Sequence, residues 1–217
     1  MRDGEVLHES QLGPVPGGRP RHATGLLDEV EKAAAAAGGW EAVGQVAVGL
    51  GPGSFTGLRI GIATARALGL SLGLPVAGAC TLDALGRGIG EGGGGRPALA
   101  VLDARRGEVF AALYSPGGER LWGPLALPPA DLAERAAALP DPPLAAGSGA
   151  VRFRDELVGC GVEVPDDADP VHRVAARHVC AVVAAAGDAA GGPPAPIYLR
   201  PPDAERWRER DTFQRAE

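Results

Sequence analysis

Residues 45–85 read QVAVGLGPGSFTGLRIGIATARALGLSLGLPVAGACTLDAL, and few folds accommodate that order. An apolar β-branched run is followed by a glycine loop, a long helical segment and a second apolar run. The reading is a strand at 45–50, a helix at about 54–72, a strand at 75–79 and a short helix capped by Thr81. Strand, helix and strand in that order imply a right-handed crossover onto a sheet, so the chain belongs to the α/β class. Within the helix, Gly57, Gly61, Ala65, Gly69 and Gly73 recur every four residues. A ridge at that spacing without bulky side chains lets another backbone approach closely. Glycine inside a helix costs about 1 kcal/mol relative to alanine, so close approach has to offset it. Two readings stay open: tight packing on the chain's own sheet, or contact with a second protein.

The loop itself, Gly51-Pro52-Gly53-Ser54-Phe55-Thr56-Gly57-Leu58-Arg59, invites a phosphate-binding reading. It carries neither the lysine of G-x-x-x-x-G-K-[ST] nor the spacing of G-x-G-x-x-G. What remains is a glycine loop entering a helix whose free N–H groups could hold an anion, with Ser54 or Thr56 as cap. Gly51, Gly53, Ser54, Thr56 and Arg59 are the candidate anion-binding residues. The alternative is a sharp strand-to-helix turn and nothing more.

Elsewhere, 3–12 reads as a turn and a short strand. A helix is expected over 21–37, with the apolar stripe Leu26, Leu27, Val30 and Ala34 and a stop at Gly38. The glycine-rich 86–97 reads as a flexible join between a first unit, 1–95, and a second, 96–217. Beyond it come strands at 98–102, 108–114 and 120–122, a helix at 131–139, a strand at 144–146 and a helix at 172–187. That last segment is placed to pack back on the first unit, and the final residues read as a frayed tail.

Composition narrows the function. With 45% hydrophobic and 22% charged residues the chain is of soluble globular type. No apolar run of membrane-spanning length occurs and the first residues are polar, so no membrane contact is expected. The three cysteines read as reduced core residues of a cytoplasmic protein. A net charge of -6 gives no general attraction to phosphate backbones, so any RNA chemistry would run through a partner that holds the RNA. The four histidines are scattered, with no pair at metal-ligand spacing, and no nucleophile–base–acid set assembles. Asp103, Arg105, Arg106 and Glu108 cluster at a hairpin and could bind something, though a solvated turn is the simpler reading. Asp83 reads as a complement to the dipole of its helix. No metal and no cofactor are expected.

GPGSFTGLRIGIATARALGLSLGLPVAGACTLDALG, with HATGLLDEVEKAAAAAG before it and LDARRGEVFAALY and IYLRPPDAE after it, resembles the TsaB (YeaZ) family. The resemblance covers most of the chain. It implies the actin-like, ribonuclease-H-like fold in two similar lobes. It also implies an accessory subunit without catalysis of its own, supporting the transferase TsaD in N6-threonylcarbamoylation of adenosine 37 of tRNA. Where TsaD-like sequences carry a His-x-x-x-His pair, this chain has Thr81 and Leu85. Members pair with TsaD through helices of the first lobe, and the ATPase TsaE engages the pair. The implied interface is therefore Gly57, Gly61, Ala65 and Gly69 with Leu26 and Val30, and a homodimer through a similar surface is possible. The rival readings are an M22-type, glycoprotease-like metallopeptidase and an ATP-binding kinase of the actin-like fold.

The residues 117–121 echo 3–7, and in the second half two further strands precede them. Family members begin with a strand and an Asp-Thr-Ser-like turn that lie upstream of this chain's start. The expectation is that Met1 is a late start and that about one hairpin of the first sheet is missing.

Overall fold

The structure, a computed structural model, describes residues 1–12, 25–187 and 193–200. Its elements in order are α1 (Leu26–Ala36), β1 (Val46–Gly51), α2 (Phe55–Leu72), β2 (Val76–Cys80), α3 (Thr81–Gly92), β3 (Ala98–Asp103), β4 (Val109–Tyr114), β5 (Arg120–Leu127), α4 (Pro129–Ala137), β6 (Leu144–Ala146), α5 (Ser148–Arg152), α6 (Arg154–Gly159) and α7 (Ala176–Ala186). They build an α/β protein around two sheets. In the first, β1 and β2 run parallel, in register from Val46 opposite Val76. The second has the order β5-β4-β3-β6, antiparallel except for the parallel pair β3–β6.

Alternation along the strands decides which helix covers which face. In the first sheet Ala47, Ala77 and Ala79 turn toward Val179, Val182 and Val183 of α7. On the opposite face an added Cβ on Gly69 of α2 would stand 2.2 Å from Val76, and one on Gly61 3.8 Å from Val48. The chain leaves α2 through Gly73 in the left-handed region, φ 66°, where a side chain would be strained. In the second sheet Leu99, Val101, Val109, Ala111 and Leu113 pack on Leu132 and Ala136 of α4 and Leu157 of α6. Ala98, Ala100, Phe110, Ala112 and Tyr114 pack on Leu82, Leu85 and Ile89 of α3. Each such leucine or isoleucine, fully buried, stabilises by about 1.5–3 kcal/mol.

Several sequence expectations are corrected. The expected join at 86–97 is helical as far as Gly92, because α3 continues as a core helix with Ile89 fully buried. Gly86 lies flat against the Tyr114 ring and Gly88 against the His178 imidazole. Those glycines are helical spacers, and the turn is made only by residues 93–96. The N-cap of α3 is Cys80 rather than Thr81, whose hydroxyl instead accepts from Gly51 N–H at 3.2 Å. The strand expected within 3–12 does not form. A bridge joins Arg2 and Glu5, and beyond it Glu9 accepts from Arg177 N–H of α7 at 2.9 Å and pairs with its guanidinium. β5 extends to Leu127 across Gly123-Pro124, tolerated because β5 is an edge strand with an irregular register there. Of the expected helix at 21–37, residues 21–24 lie outside the described residues, as does the tail beyond 200.

The helix expected from 172 begins at Ala176. His172 sits in the 3-10 turn Pro170–His172, which Asp169 caps through Val171 N–H at 2.8 Å. The buried His172 ring accepts from Gly147 N–H on Nδ1 (3.1 Å), so its Nε2–H donates to the Pro165 and Asp166 carbonyls (3.1 and 3.0 Å). Of the three cysteines, all free, Cys80 is buried and Cys180 partly so, but Cys160 is exposed at the end of α6. Asp83 does more than complement a helix dipole. It accepts from Tyr114 Oη at 2.7 Å and from Arg120 at 3.0 Å, tying α3 to β4 and β5. Burial first, and then the Asp83 carboxylate, push the Tyr114 phenol up.

His178 of α7 is only 5% exposed, against Gly88, with Glu91 3.6 Å from Nδ1. Burial foremost, with Arg177 and Arg87, holds its pKa below the ordinary 6.5, against the opposing pull of Glu91 and Glu9. For Glu9 burial acts upward, but the hydrogen bonds and charge of Arg177 outweigh it, and its pKa falls below 4.5.

Two predictions follow from this packing. Gly86→Ala places a Cβ 2.4 Å from the Tyr114 ring and is expected to destabilise the chain by about 1–3 kcal/mol in urea unfolding. Gly90→Ala, whose added Cβ meets nothing within 4 Å, is expected to stabilise by roughly 0.5–1 kcal/mol. For pH, the unfolded chain protonates His178 more readily than the folded one. That contribution is complete above pH 6.5 and lost as pH falls below it, with Glu9 adding a loss below 4.5. Tm is therefore expected to drop between about pH 7.5 and about pH 5.5, and His178→Gln to flatten that slope. An unchanged slope in the variant would contradict it.

Candidate functional site

The carboxyl ends of β1, β2, β3 and β6 converge on one cleft of about 1160 Å³. In α/β folds that is where ligands bind. One wall is the loop after β1 and the first turn of α2. The Gly51–Pro52 peptide is cis. Gly51 has φ 109°, and a Cβ there would meet the Ile197 carbonyl oxygen at 2.8 Å, so only glycine fits. Ser54 caps α2 through Gly57 N–H at 3.4 Å. Arg59 projects from the next turn. Its guanidinium carbon lies 3.8 Å from the Phe55 ring centroid, and its Nε–H donates to Tyr198 Oη at 3.2 Å.

The opposite wall is the hairpin after β3. Arg105, Arg106 and Gly107 occupy the left-handed region in succession, with φ 63°, 57° and 75°. For the two arginines that conformation costs roughly 1–2 kcal/mol each. Asp103 holds the turn: it accepts from Arg105 N–H at 2.8 Å and from Arg152 at 2.9 Å, while its own N–H donates to Ser148 Oγ at 3.1 Å. The returning segment 197–200 closes the side. Ile197 N–H donates to Leu50 carbonyl oxygen at 2.7 Å, and the Tyr198 and Phe55 rings meet at 5.4 Å. Arg200 binds Glu108 and the Ala104 carbonyl over the Phe110 ring.

The structure thus brings together Gly53, Ser54, Thr56 and Arg59 on one wall, with Gly51 buried beneath it. The hairpin residues read as a solvated turn face them: Asp103, Arg105 and Arg106 line the same cleft. Tyr198 and Arg200 went unrecognised as site residues. Their signal was an arginine following a tyrosine in IYLR, which local pattern alone cannot connect to a loop 139 residues away.

The ridge of small residues divides differently. Gly57 and Gly61 are half-buried, but Ala65 is buried and Gly69 lies against Val76 of the chain's own sheet. At Ala65 and Gly69 the ridge packs on the chain's own sheet. Leu26 and Val30 of α1 are half-buried. The face of α2 left open is Ala63, Ala67 and Leu70, the last 89% exposed, and Leu27 of α1 is 50% exposed.

Among the described residues no group of three or more His, Cys, Asp or Glu gathers as metal ligands do. The cleft hydroxyls of Ser54, Ser148 and Thr81 are each engaged by backbone N–H groups.

Comparison with known proteins agrees with this geometry. Residues 5–156 match the family described as TsaD, tRNA N6-adenosine threonylcarbamoyltransferase. An uncharacterised Mycobacterium tuberculosis protein is 42% identical over 162 residues, 74% of this chain and 65% of its own length. The Escherichia coli tRNA threonylcarbamoyladenosine biosynthesis protein TsaB is 42% identical over 80 residues, 37% of this chain and 35% of its own length. The chain therefore spans less than two thirds of these relatives. A solved Pseudomonas aeruginosa structure, described as similar to peptidase YEAZ, superposes with a TM-score of 0.69 at 29% identity, covering 83% of this chain and 86% of that one. On these matches, and on the superposition with the solved structure, the chain belongs to the TsaD-related family and, within it, to the TsaB (YeaZ) group.

Proposed function

We propose that the chain is a non-catalytic subunit that docks on a TsaD-type transferase and supports N6-threonylcarbamoylation of adenosine 37 of tRNA. The observation that carries this reading is the open apolar face of α2. Leu70 is 89% exposed beside Ala63 and Ala67, with Leu27 of α1 also exposed, and among the described residues nothing covers them. A large aliphatic side chain standing in water on a small-residue helix face suits a second helix laid across it. The names carried by its relatives put those proteins in tRNA threonylcarbamoyladenosine biosynthesis, and the matching family is described as a tRNA N6-adenosine threonylcarbamoyltransferase, which supports a transferase of that kind as the partner.

A subunit of this kind raises a rate by binding one conformation of the catalytic partner better than the others. The net charge of -6 gives this chain no general attraction to a phosphate backbone, which favours a partner that holds the RNA. A TsaE-type ATPase would then engage the pair, and the cytoplasm is where such a tRNA-modifying assembly works. A second copy of this chain would compete for the same face, so the homodimer is the alternative occupant.

The test is size-exclusion chromatography and a reconstituted modification assay with TsaD, TsaE, threonylcarbamoyl-adenylate and tRNA. Leu70→Glu leaves the fold intact, since the side chain touches little of its own protein, and is expected to weaken the complex about thirtyfold, as loss of an interface anchor does. Equal binding by the variant, or modification that proceeds equally well without this chain, refutes the reading.

A further inference from the structure

We propose that residues 196–200 form a releasable strap that couples the two walls of the cleft, so that loosening one end of the strap loosens the opposite wall. Its first anchors lie on the α2 side. Ile197 N–H donates to the Leu50 carbonyl oxygen at 2.7 Å, and Tyr198 meets the Phe55 ring and accepts from Arg59. Its last anchor lies on the hairpin side. Arg200 pairs with Glu108, donates to the Ala104 carbonyl oxygen and stands over the Phe110 ring. Between these ends Ile197 and Leu199 pack against the core built around α3. A single short segment thus holds both walls, although α2 packs on the two-stranded sheet and the hairpin belongs to the four-stranded one.

The chemistry of the strap makes it releasable. Pro193, Pro194 and Pro196 lead into it. Proline has no N–H and a fixed φ, so this stretch stays extended without joining a ladder and has little freedom to lose when it is laid down. Among the described residues, the bond from Ile197 to Leu50 is the strap's one main-chain hydrogen bond. Side chains in contact with water make the rest of the hold. Tyr198 is 40% exposed, and the side chains of Arg200 and Glu108 are 23% and 35% exposed. An ion pair so placed is weakened by salt.

The strap also presses on the loop it crosses. A Cβ on Gly51 would stand 2.8 Å from the Ile197 carbonyl oxygen, so the loop keeps its course only while Ile197 stays in place. Coupling through one element is reciprocal. Releasing Arg200 therefore frees the α2 loop, and releasing Tyr198 frees the hairpin. If each side chain acted only locally, it would disturb no more than the wall it touches. The inference concerns the free chain and is independent of the docking reading.

The experiment is residue-resolved amide hydrogen exchange on the full chain. It is read at Gly51 and Leu58 on one wall and at Ala104 and Glu108 on the other, four amides bonded within their own wall. Arg200→Gln is expected to speed exchange at least about threefold at Gly51 and Leu58, which Arg200 does not hold. Tyr198→Leu is expected to do the same at Ala104 and Glu108. In the parent, raising NaCl from about 0.05 to about 0.5 M is expected to speed exchange at Gly51 and Leu58, and Arg200→Gln to remove that dependence. Arg96→Gln, which breaks an exposed pair with Glu163 away from the strap, is expected to leave all four amides as they are. The proposal is overturned if each variant speeds exchange only on the wall it contacts, or if Arg96→Gln has the same effect. Acceleration spread evenly over β3 and β4 reports a loss of global stability and overturns it too.

Discussion

The close approach of α3 to α7 holds the two halves of this molecule in one arrangement. α3 buries Leu82, Leu85 and Ile89 in the four-stranded sheet, while α7 covers the two-stranded one with Val179, Val182 and Val183. The two helices touch where Gly88 faces the His178 ring, which lies 3.0 Å from where a Cβ would stand. Because each helix is fixed to a different sheet, that contact sets where the ends of β1 and β3 stand relative to one another. The width of the cleft is therefore decided some distance from its walls.

Much of this architecture was legible in the sequence, because short apolar runs separated by one long helical segment admit little else. β1, α2 and β2 fall within a residue or so of where periodicity puts them. The glycines of α3 misled for a physical reason. Composition cannot distinguish a glycine that frees the backbone from one that lets an aromatic ring lie against a helix, and Gly86 and Gly88 are of the second kind. The ridge on α2 posed the same ambiguity, and at Gly69 it packs internally against Val76. The strand expected near the start failed because strand formation needs a neighbour, and there Glu9 meets Arg177 of α7 instead.

The site was half readable. A glycine loop feeding a helix announces itself locally, so Gly53, Ser54, Thr56 and Arg59 could be named from spacing. The hairpin arginines were visible as a cluster but not as a wall, since their meaning depends on what faces them. Their left-handed geometry has no mark in the residue types at all, because arginine is an unexpected choice there. Tyr198 and Arg200 belong to the site only through contacts that span most of the chain. Exposure of Leu70 is likewise a tertiary fact: in sequence it is one more apolar residue of a helix that has many.

The closing segment has a temporal meaning. Arg59 meets Tyr198 across 139 residues, and Glu108 meets Arg200 across 92. On a ribosome both sheets can pair before that stretch has emerged, since their strands end at Ala146. For that interval the nascent protein is folded in outline yet has a cleft open on one side. Whatever the cleft recognises, recognition waits on residues made after both sheets.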